Sequence, residues 1–325
     1  MKKKKTIIII TSVILTIAII GGSLALWFTR FMKDEDDTEA LFRTNVEKVG
    51  YANTIETAVP QTELYNIISY HFNSELPEGK TVKKAIIIGY DGCRADVLNE
   101  VQDDNSAIGL LLDDGSELYL SYCGGVPYPA ENTQDTSTAP GWCSILTGKW
   151  ADETGVTANG ITKEVEPKTL LTSLVEDGYA ESSTFITRWK GHFDREGATY
   201  NDEMQYCEDE GLDVTFNRCK NDEASFDATI AEINKADCSD FIFVIYEPTD
   251  STGHNMGFTY NSPYYKDAFI EADSYGYDTI DAIRSRETYA EEDWLIIITA
   301  DHGGIGTDHG GDSIQERMTF YIVGK

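Results

Sequence analysis

Basic residues are scarce in this sequence, and their scarcity argues against one broad class of function. Among 325 residues, 26 lysines and arginines stand against 56 aspartates and glutamates, for a formal net charge of −30 at pH 7. Six basic residues and no acidic ones lie in residues 1–33, so the remainder carries −36. A body of this charge repels phosphate backbones and argues against a nucleic-acid-binding surface.

The first 33 residues have a different composition and predict a membrane anchor. Lys2 to Lys5 precede an uncharged, mostly apolar run from Thr6 to Thr29. As a helix this run is about 36 Å long, which is enough to cross a bilayer. The lysines predict a cytoplasmic N-terminus, with the rest of the chain outside a cell membrane. The alternative is a cleaved signal peptide, with Ser23 and Ala25 as the small residues before the cut, and a secreted product.

Cysteine is infrequent, and none of the six cysteines has the spacing of a zinc finger. All six follow residue 33, in the part expected to be exported, where an even number permits disulfides. Cys207 and Cys219 flank a short acidic segment and are the expected pair, with buried free thiols as the alternative. The six are Cys93, Cys123, Cys143, Cys207, Cys219 and Cys238.

Apolar runs alternate with helical patterns along the rest of the chain, without internal repeats. This order predicts an α/β fold with a mostly parallel central sheet and helices on both faces. We expect an acidic stalk and helical approach over residues 34–80 and a catalytic domain over residues 81–325. Residues 200–223 are acidic and predict an irregular insertion loop. The strongest predicted strands are residues 84–90, 118–122, 182–187, 241–246, 295–299 and 318–323.

Histidine is rare, and most of it lies where strands end. Only five histidines occur. Three of them lie in the segments that follow two predicted strands, each with an aspartate nearby. Ligands of open α/β sheets bind at the carboxyl ends of strands, so these side chains should converge. Mixed carboxylate and imidazole ligands suit zinc, with manganese or iron as alternatives, and six of them suffice for two ions. They are Asp91, Asp250, His254, Asp301, His302 and His309. Capping carboxylates and structural histidines are the alternative for each residue taken singly.

Thr138 is the expected nucleophile. Pro140 suits the first turn of a helix, which puts Thr138 just before a helix N-terminus. Metal coordination would hold its hydroxyl as an alkoxide, and the helix dipole would favour the negative charge. The alternative is an ordinary capping threonine.

These segments resemble the alkaline phosphatase superfamily, and within it the nucleotide pyrophosphatase/phosphodiesterase group. The resemblance runs from about residue 84 to the end. It rests on four motifs in order: Ile-Ile-Gly-Tyr-Asp91-Gly-Cys-Arg-Ala-Asp, Thr138-Ala-Pro-Gly, Tyr-Glu-Pro-Thr-Asp250-Ser-Thr-Gly-His254 and Thr-Ala-Asp301-His302-Gly-Gly.

The resemblance implies a two-metal hydrolase of small anionic phosphate esters, most simply phosphodiesters or nucleotide pyrophosphates, acting through a phosphothreonine intermediate. It implies a contact between Asn159 and a phosphoryl oxygen. It also implies two metal sites, one with Asp250, His254 and His309 and the other with Asp91, Thr138, Asp301 and His302.

Two local departures keep alternatives open. His309 follows His302 by seven residues, a compact spacing similar to that of sulfatases and of phosphoglycerol- or phosphoethanolamine-transferring relatives. The nucleophile segment reads Ala-Pro-Gly-Trp, where the phosphodiesterase group more often has an aromatic residue, proline and asparagine. The alternatives are therefore a transferase, phosphomonoesterase or sulfatase of the cell envelope, or an inactive surface binding protein. Arg188, Lys190 and His192 either contact a second anionic group or are solvated.

Overall fold

The structure, a computed structural model, describes residues 37–100, 105–160 and 168–325. The predicted anchor, with Lys2 to Lys5, lies outside the described residues. Within the described ranges, no helix is both long and apolar enough to cross a membrane. The residues from Glu39 to Lys325 form one unit, which includes the helices of the predicted approach segment.

Eight strands form a single sheet in the order β1-β3-β8-β7-β2-β6-β4-β5. Only β8 runs antiparallel to its neighbours, so the sheet is mostly parallel, as predicted. Its centre is β7-β2-β6, whose apolar runs (residues 294–298, 85–88 and 241–246) are typical of strands buried on both faces. The strands are β1 (Val59–Pro60), β2 (Val82–Tyr90), β3 (Leu118–Tyr122), β4 (Ser183–Thr187), β5 (Val214–Arg218), β6 (Phe241–Tyr246), β7 (Glu292–Thr299) and β8 (Met318–Gly324).

Helices cover both faces of the sheet because alternate strand residues point to opposite sides. Ile86 and Ile88 pack on one face with residues of the long helix α10, whereas Ile87 packs on the other with residues of α2 and α4. The helices are α1 (Glu39–Val49), α2 (Glu63–Asn73), α3 (Ala107–Asp113), α4 (Thr138–Thr147), α5 (Ala151–Thr154), α6 (Leu170–Glu176), α7 (Asn201–Glu210), α8 (Asp222–Ile233), α9 (Pro248–Met256), α10 (Pro263–Arg284) and α11 (Ile314–Arg317).

The prediction of an irregular loop over residues 200–223 was wrong. This segment contains helix α7 and strand β5, which pairs in parallel with β4 at the edge of the sheet. The apolar stripe of α7 is weak because acidic residues occupy half of the helix, and β5 is only half buried. Both features suppress the periodic signal on which a sequence-based assignment depends.

The predicted disulfide between Cys207 and Cys219 was also wrong, because all six cysteines are buried free thiols. The Sγ atom of Cys207 lies 3.2 Å from Thr172 Oγ1. Cys219 instead packs into the apolar cluster on the α10 face of the sheet. The acidic segment between them is an ordered helix and strand, so proximity in sequence does not bring the thiols together.

Candidate active site

The carboxyl ends of the three central strands bring the predicted ligands together. Strand β2 leads directly into Asp91, β6 leads into α9 with Asp250, and β7 leads into Asp301. These strands are neighbours and run parallel, so their carboxyl ends lie at one edge of the sheet. The crevice at such an edge is where open α/β sheets bind ligands.

Three fully buried side chains, Asp91, Asp301 and His302, form an inner cluster. His302 Nε2 lies 3.6 Å from Asp91 Oδ1 and 3.4 Å from Asp301 Oδ2. The hydroxyl of Thr138 joins them, with Oγ1 at 3.4 Å from Asp91 Oδ1 and 3.5 Å from His302 Nε2. Four potential ligand atoms therefore face one small volume.

An outer cluster consists of Asp250, His254 and His309. Asp250 and His254 are four residues apart on α9, which puts both side chains on one face of the helix. Asp250 Oδ1 lies 3.4 Å from His254 Nε2 and 3.6 Å from His309 Nε2, and the two Nε2 atoms are 3.2 Å apart. The clusters are adjacent, since the rings of His302 and His309 lie 4.1 Å apart between centroids.

All three histidines are oriented in the same way. His302 Nδ1 lies 2.7 Å from the carbonyl oxygen of Gly303, His254 Nδ1 lies 3.0 Å from that of Thr307, and His309 Nδ1 lies 3.2 Å from that of Thr136. A carbonyl accepts, so each Nδ1 carries the proton and each Nε2 presents a lone pair to its cluster. Such a backbone hydrogen bond is the usual support of a metal-binding imidazole.

The geometry of both clusters fits zinc. Ligand atoms around a tetrahedral zinc ion at about 2.05 Å lie roughly 3.3 Å from one another. The separations within the clusters are 3.2 to 3.6 Å. Moreover, Asp250 Oδ1 and Asp301 Oδ2 are buried without a hydrogen-bond donor. A buried carboxylate oxygen without a donor is expensive, and a cation would compensate it.

The electrostatics of the clusters agree with this fit. Burial, together with the charge of Asp91, raises the pKa of Asp301 well above its usual range and raises that of Asp250 to about 8. Burial lowers the pKa of His302 to about 4 and that of His309 to about 3, so both rings are neutral at pH 7. A divalent ion binds neutral imidazoles and carboxylates, and both clusters offer this combination of ligands.

Two close contacts position helix α4 and the turn after β2. A Cβ on Gly141 would lie 2.8 Å from Asp301 Cβ, so only glycine lets α4 approach this carboxylate. Gly92 has φ +64°, and a Cβ there would lie 2.9 Å from Asp250. Its amide donates to Asp301 Oδ1 at 3.1 Å. Thr138 is the first residue of α4, whereas the sequence predicts it just before the first residue of the helix.

Asn159 lies next to the start of α4, which carries Thr138. Its Oδ1 accepts a hydrogen bond from the amide of Ala139 at 2.8 Å. This contact orients the side-chain amide, so its Nδ2 donor is the group left for a substrate oxygen. The exposed side chain of Asn159 is accessible from solvent.

One supporting residue that the sequence analysis missed is Trp142. The indole is fully buried, and its Nε1 donates to Asp91 Oδ2 at 3.0 Å. The other oxygen, Oδ1, thereby faces Thr138 and His302. Its sequence signal is the spacing of one helical turn from Thr138, but a buried tryptophan at helical spacing is more simply interpreted as core.

The basic-aromatic segment after β4, residues 188–192, is only partly exposed to solvent. Arg188 lies 2.9 Å from Asp222 Oδ2 and 3.1 Å from Glu247 Oε2, and it also donates to Ser251 on α9. His192 is fully buried, and burial lowers its pKa to about 3. Lys190 is exposed. Arg188 therefore supports the segment that carries Asp250.

The fold and the site define a mixed α/β protein with two adjacent metal-ligand clusters around a threonine. A family model described as type I phosphodiesterase / nucleotide pyrophosphatase matches residues 85–317. The chain belongs to this family, which confirms the resemblance to the nucleotide pyrophosphatase/phosphodiesterase group.

Several solved structures are similar to the chain. Murine ectonucleotide pyrophosphatase / phosphodiesterase 5 is 17% identical with a TM-score of 0.47, covering 68% of this chain and 57% of that one. The C-terminal periplasmic domain of EcEptC from Escherichia coli, solved in complex with zinc, is 12% identical with a TM-score of 0.44, covering 77% and 75%. The lipoteichoic acid synthase LtaP from Listeria monocytogenes is 13% identical with a TM-score of 0.47, covering 79% and 71%.

The chain thus spans a little over half the length of the murine protein. At these identities and TM-scores, the similarities assign no substrate to it. No curated protein sequence matches the chain.

Proposed function

We propose that the protein is a two-metal hydrolase of phosphodiesters or nucleotide pyrophosphates that acts through a phosphothreonine intermediate on Thr138. One observation carries the proposal. The Thr138 hydroxyl stands at the start of α4, within 3.5 Å of two members of the inner cluster, and the outer cluster lies directly beside it. Family membership supports the reaction class.

The chain's own residues divide the work of phosphoryl transfer. Thr138 Oγ attacks phosphorus as its hydroxyl gives up its proton to solvent. The Oγ–P bond forms, the bond from phosphorus to the leaving oxygen breaks, and the leaving oxygen takes up a proton from solvent. Water then cleaves the phosphothreonine, which restores the hydroxyl and releases the phosphorylated product. Asn159 Nδ2 donates to a non-bridging oxygen, and the N-terminus of α4 favours the negative charge that develops there. Two divalent ions would supply Lewis-acid charge for the Thr138 oxygen and the phosphoryl oxygens.

The two clusters are the proposed ion sites. Asp91, Thr138, Asp301 and His302 would hold one ion, and Asp250, His254 and His309 the other. Nitrogen and carboxylate ligands at tetrahedral spacing favour zinc, with manganese as the alternative. A small anionic ester would bridge the two cations, so the acidic surface does not prevent binding.

The experiment is hydrolysis of a nitrophenyl phosphodiester by the purified, zinc-loaded chain. We expect turnover by the wild type and a loss of at least about a thousandfold in Thr138→Ala, because the attacking atom is gone. Thr147→Ala is the matched control, since Thr147 is a buried threonine at the far end of the same helix whose hydroxyl bonds the carbonyl of Cys143. Activity that survives in Thr138→Ala contradicts the nucleophile. Bound metal without any turnover favours the inactive binding protein.

A second candidate is transfer of a phosphoglycerol or phosphoethanolamine group in the cell envelope. The seven-residue spacing between His302 and His309 favours it, because this compact arrangement is similar to that of such transferases. The chemistry at Thr138 is shared up to the intermediate, and the acceptor then differs. Product analysis with lipid substrates distinguishes the two, since a transferase yields a new ester in place of the free phosphorylated product.

We also propose that the catalytic part is extracytoplasmic, held by a single span over residues 6–29 or released after cleavage. The support is the tetralysine followed by an uncharged run. Protease added to intact cells that express the full chain should digest the catalytic part. Protection from the protease in intact cells would contradict this location.

A further inference from the structure

Arg195 occupies an unusual position beside the nucleophile helix. Its guanidinium stacks over the indole of Trp189, with 5.5 Å between the guanidinium carbon and the ring centroid. Trp189 in turn packs against a small apolar cluster of Ala139, Cys143 and Val156, of which Ala139 is the residue after Thr138. The stacked pair therefore lies beside α4.

The charge environment of Arg195 differs from that of every other arginine that the structure describes. Seven of the eight have a carboxylate oxygen within 4.0 Å; they are Arg43, Arg94, Arg188, Arg218, Arg284, Arg286 and Arg317. Arg195 has no such partner among the described residues, and its Nε is buried without an acceptor. The chain has 56 acidic residues, so an arginine without a carboxylate among the residues that the structure describes requires an explanation.

The location of the guanidinium supplies one. A terminal nitrogen of Arg195 lies 3.7 Å from the position of a Cβ on Gly160. Gly160 follows Asn159, whose Oδ1 is bonded to the amide of Ala139. A group bound by Arg195 would thus lie on the Asn159 side of Thr138.

We propose that Arg195, held on Trp189, binds a second anionic group of the substrate. The proposal rests on the proposed function and narrows it to substrates with a phosphate or phosphonate beyond the reacting phosphorus, such as pyrophosphates. A planar guanidinium presents paired donors that match phosphate oxygens, and stacking on an aromatic ring holds it in place without neutralising it. Arg188, with two carboxylates, cannot serve in this way.

The test uses two nitrophenyl phosphodiesters that differ only in the second ester group, propyl or 3-phosphonopropyl. We expect Arg195→Gln to raise KM for the phosphonopropyl ester by about tenfold, the loss of one charge-assisted contact, with kcat unchanged. KM for the propyl ester should stay the same. Arg195→Lys should recover part of the loss, because it keeps the charge but not the paired donors.

Arg43→Gln is the matched control, because Arg43 is ion-paired with Glu39 and Glu56. This substitution should leave both KM values unchanged. An equal effect of Arg195→Gln on both esters, or no effect on either, overturns the proposal. If the wild type cleaves neither ester, the proposed function fails, and Arg195 is tested by calorimetry on the zinc-loaded protein. The preference for propane-1,3-bisphosphonate over propylphosphonate should then fall by about tenfold in Arg195→Gln. An unchanged preference overturns the proposal.

Discussion

The inner and outer clusters contain the same types of ligand in different surroundings. The inner residues Asp91, Asp301 and His302 follow central strands and are at most 1% exposed. In the outer cluster, Asp250 and His254 are on helix α9, and the side chain of His254 is 40% exposed. The inner cluster is therefore enclosed by the sheet and α4, whereas the outer cluster opens to solvent.

This difference in exposure indicates that the two clusters have different roles. The inner cluster contacts Thr138 and is further supported by Trp142 and the amide of Gly92. Enclosure strengthens electrostatic interactions with the hydroxyl of Thr138. It also raises the free-energy cost of a buried carboxylate whose charge no cation balances. The outer cluster is accessible to an incoming ester. We expect substitutions in the inner cluster to affect catalysis more strongly than substitutions in the outer cluster.

The largest expected effect follows from removing one carboxylate charge from each cluster. Asp301→Asn should lower kcat/KM for a nitrophenyl phosphodiester by about a thousandfold, and Asp250→Asn by about a hundredfold, because only the inner site contacts the hydroxyl of Thr138, the proposed nucleophile. Steady-state kinetics with added zinc measures both. Asp293→Asn, at the opposite end of β7 and paired with Lys83, is the control that should retain activity. Equal losses in the two cluster variants would remove the distinction between the sites.

A smaller effect is expected from the support of the inner cluster. Trp142→Phe keeps the packing but removes the donor to Asp91 Oδ2, so zinc affinity at the inner site should fall by about tenfold. Competition with a chelator measures this affinity. Trp294→Phe is matched, since Trp294 is a buried tryptophan whose Nε1 donates to Glu292 Oε2 at 2.8 Å, away from the site. If both variants weaken zinc binding equally, Trp142 has only a packing role.

A further prediction involves no loss of activity and concerns the metal-free protein and its pH dependence. Burial raises the pKa of Asp250 to about 8 from an ordinary value of 3.8. The folded protein therefore holds this proton more tightly than the unfolded chain, and the stabilisation is lost as pH rises from about 4 to about 8. The midpoint of thermal unfolding with chelator should fall over this window, and Asp250→Asn should flatten the decline. Zinc should reverse the trend, because it binds the deprotonated ligands.

The central part of the site could be predicted from sequence because its ligands are tied to strand ends. Apolar runs identify β2, β6 and β7, and the residues that follow them must meet if these strands are parallel. Trp142 could not be assigned in this way, because a buried tryptophan on a helix has the same pattern whether or not it donates to a ligand. The lack of a carboxylate near Arg195 among the described residues could not be predicted either, because only the fold determines where carboxylates from distant segments lie.

The same limit explains the errors outside the site. Acidic residues conceal the amphipathic stripe of α7, and β5 is a half-buried edge strand. Cys207 and Cys219 are close in sequence, yet they pack in different environments. Periodicity reports burial on one face, and it fails where an element is mostly exposed.

The number of zinc ions bound per chain tests the central claim most directly. Metal analysis of the purified full chain after dialysis should find two zinc ions in the wild type. It should find one in Asp301→Asn and one in Asp250→Asn, since each variant disables one cluster. Fewer than two ions in the wild type would contradict the two-metal site.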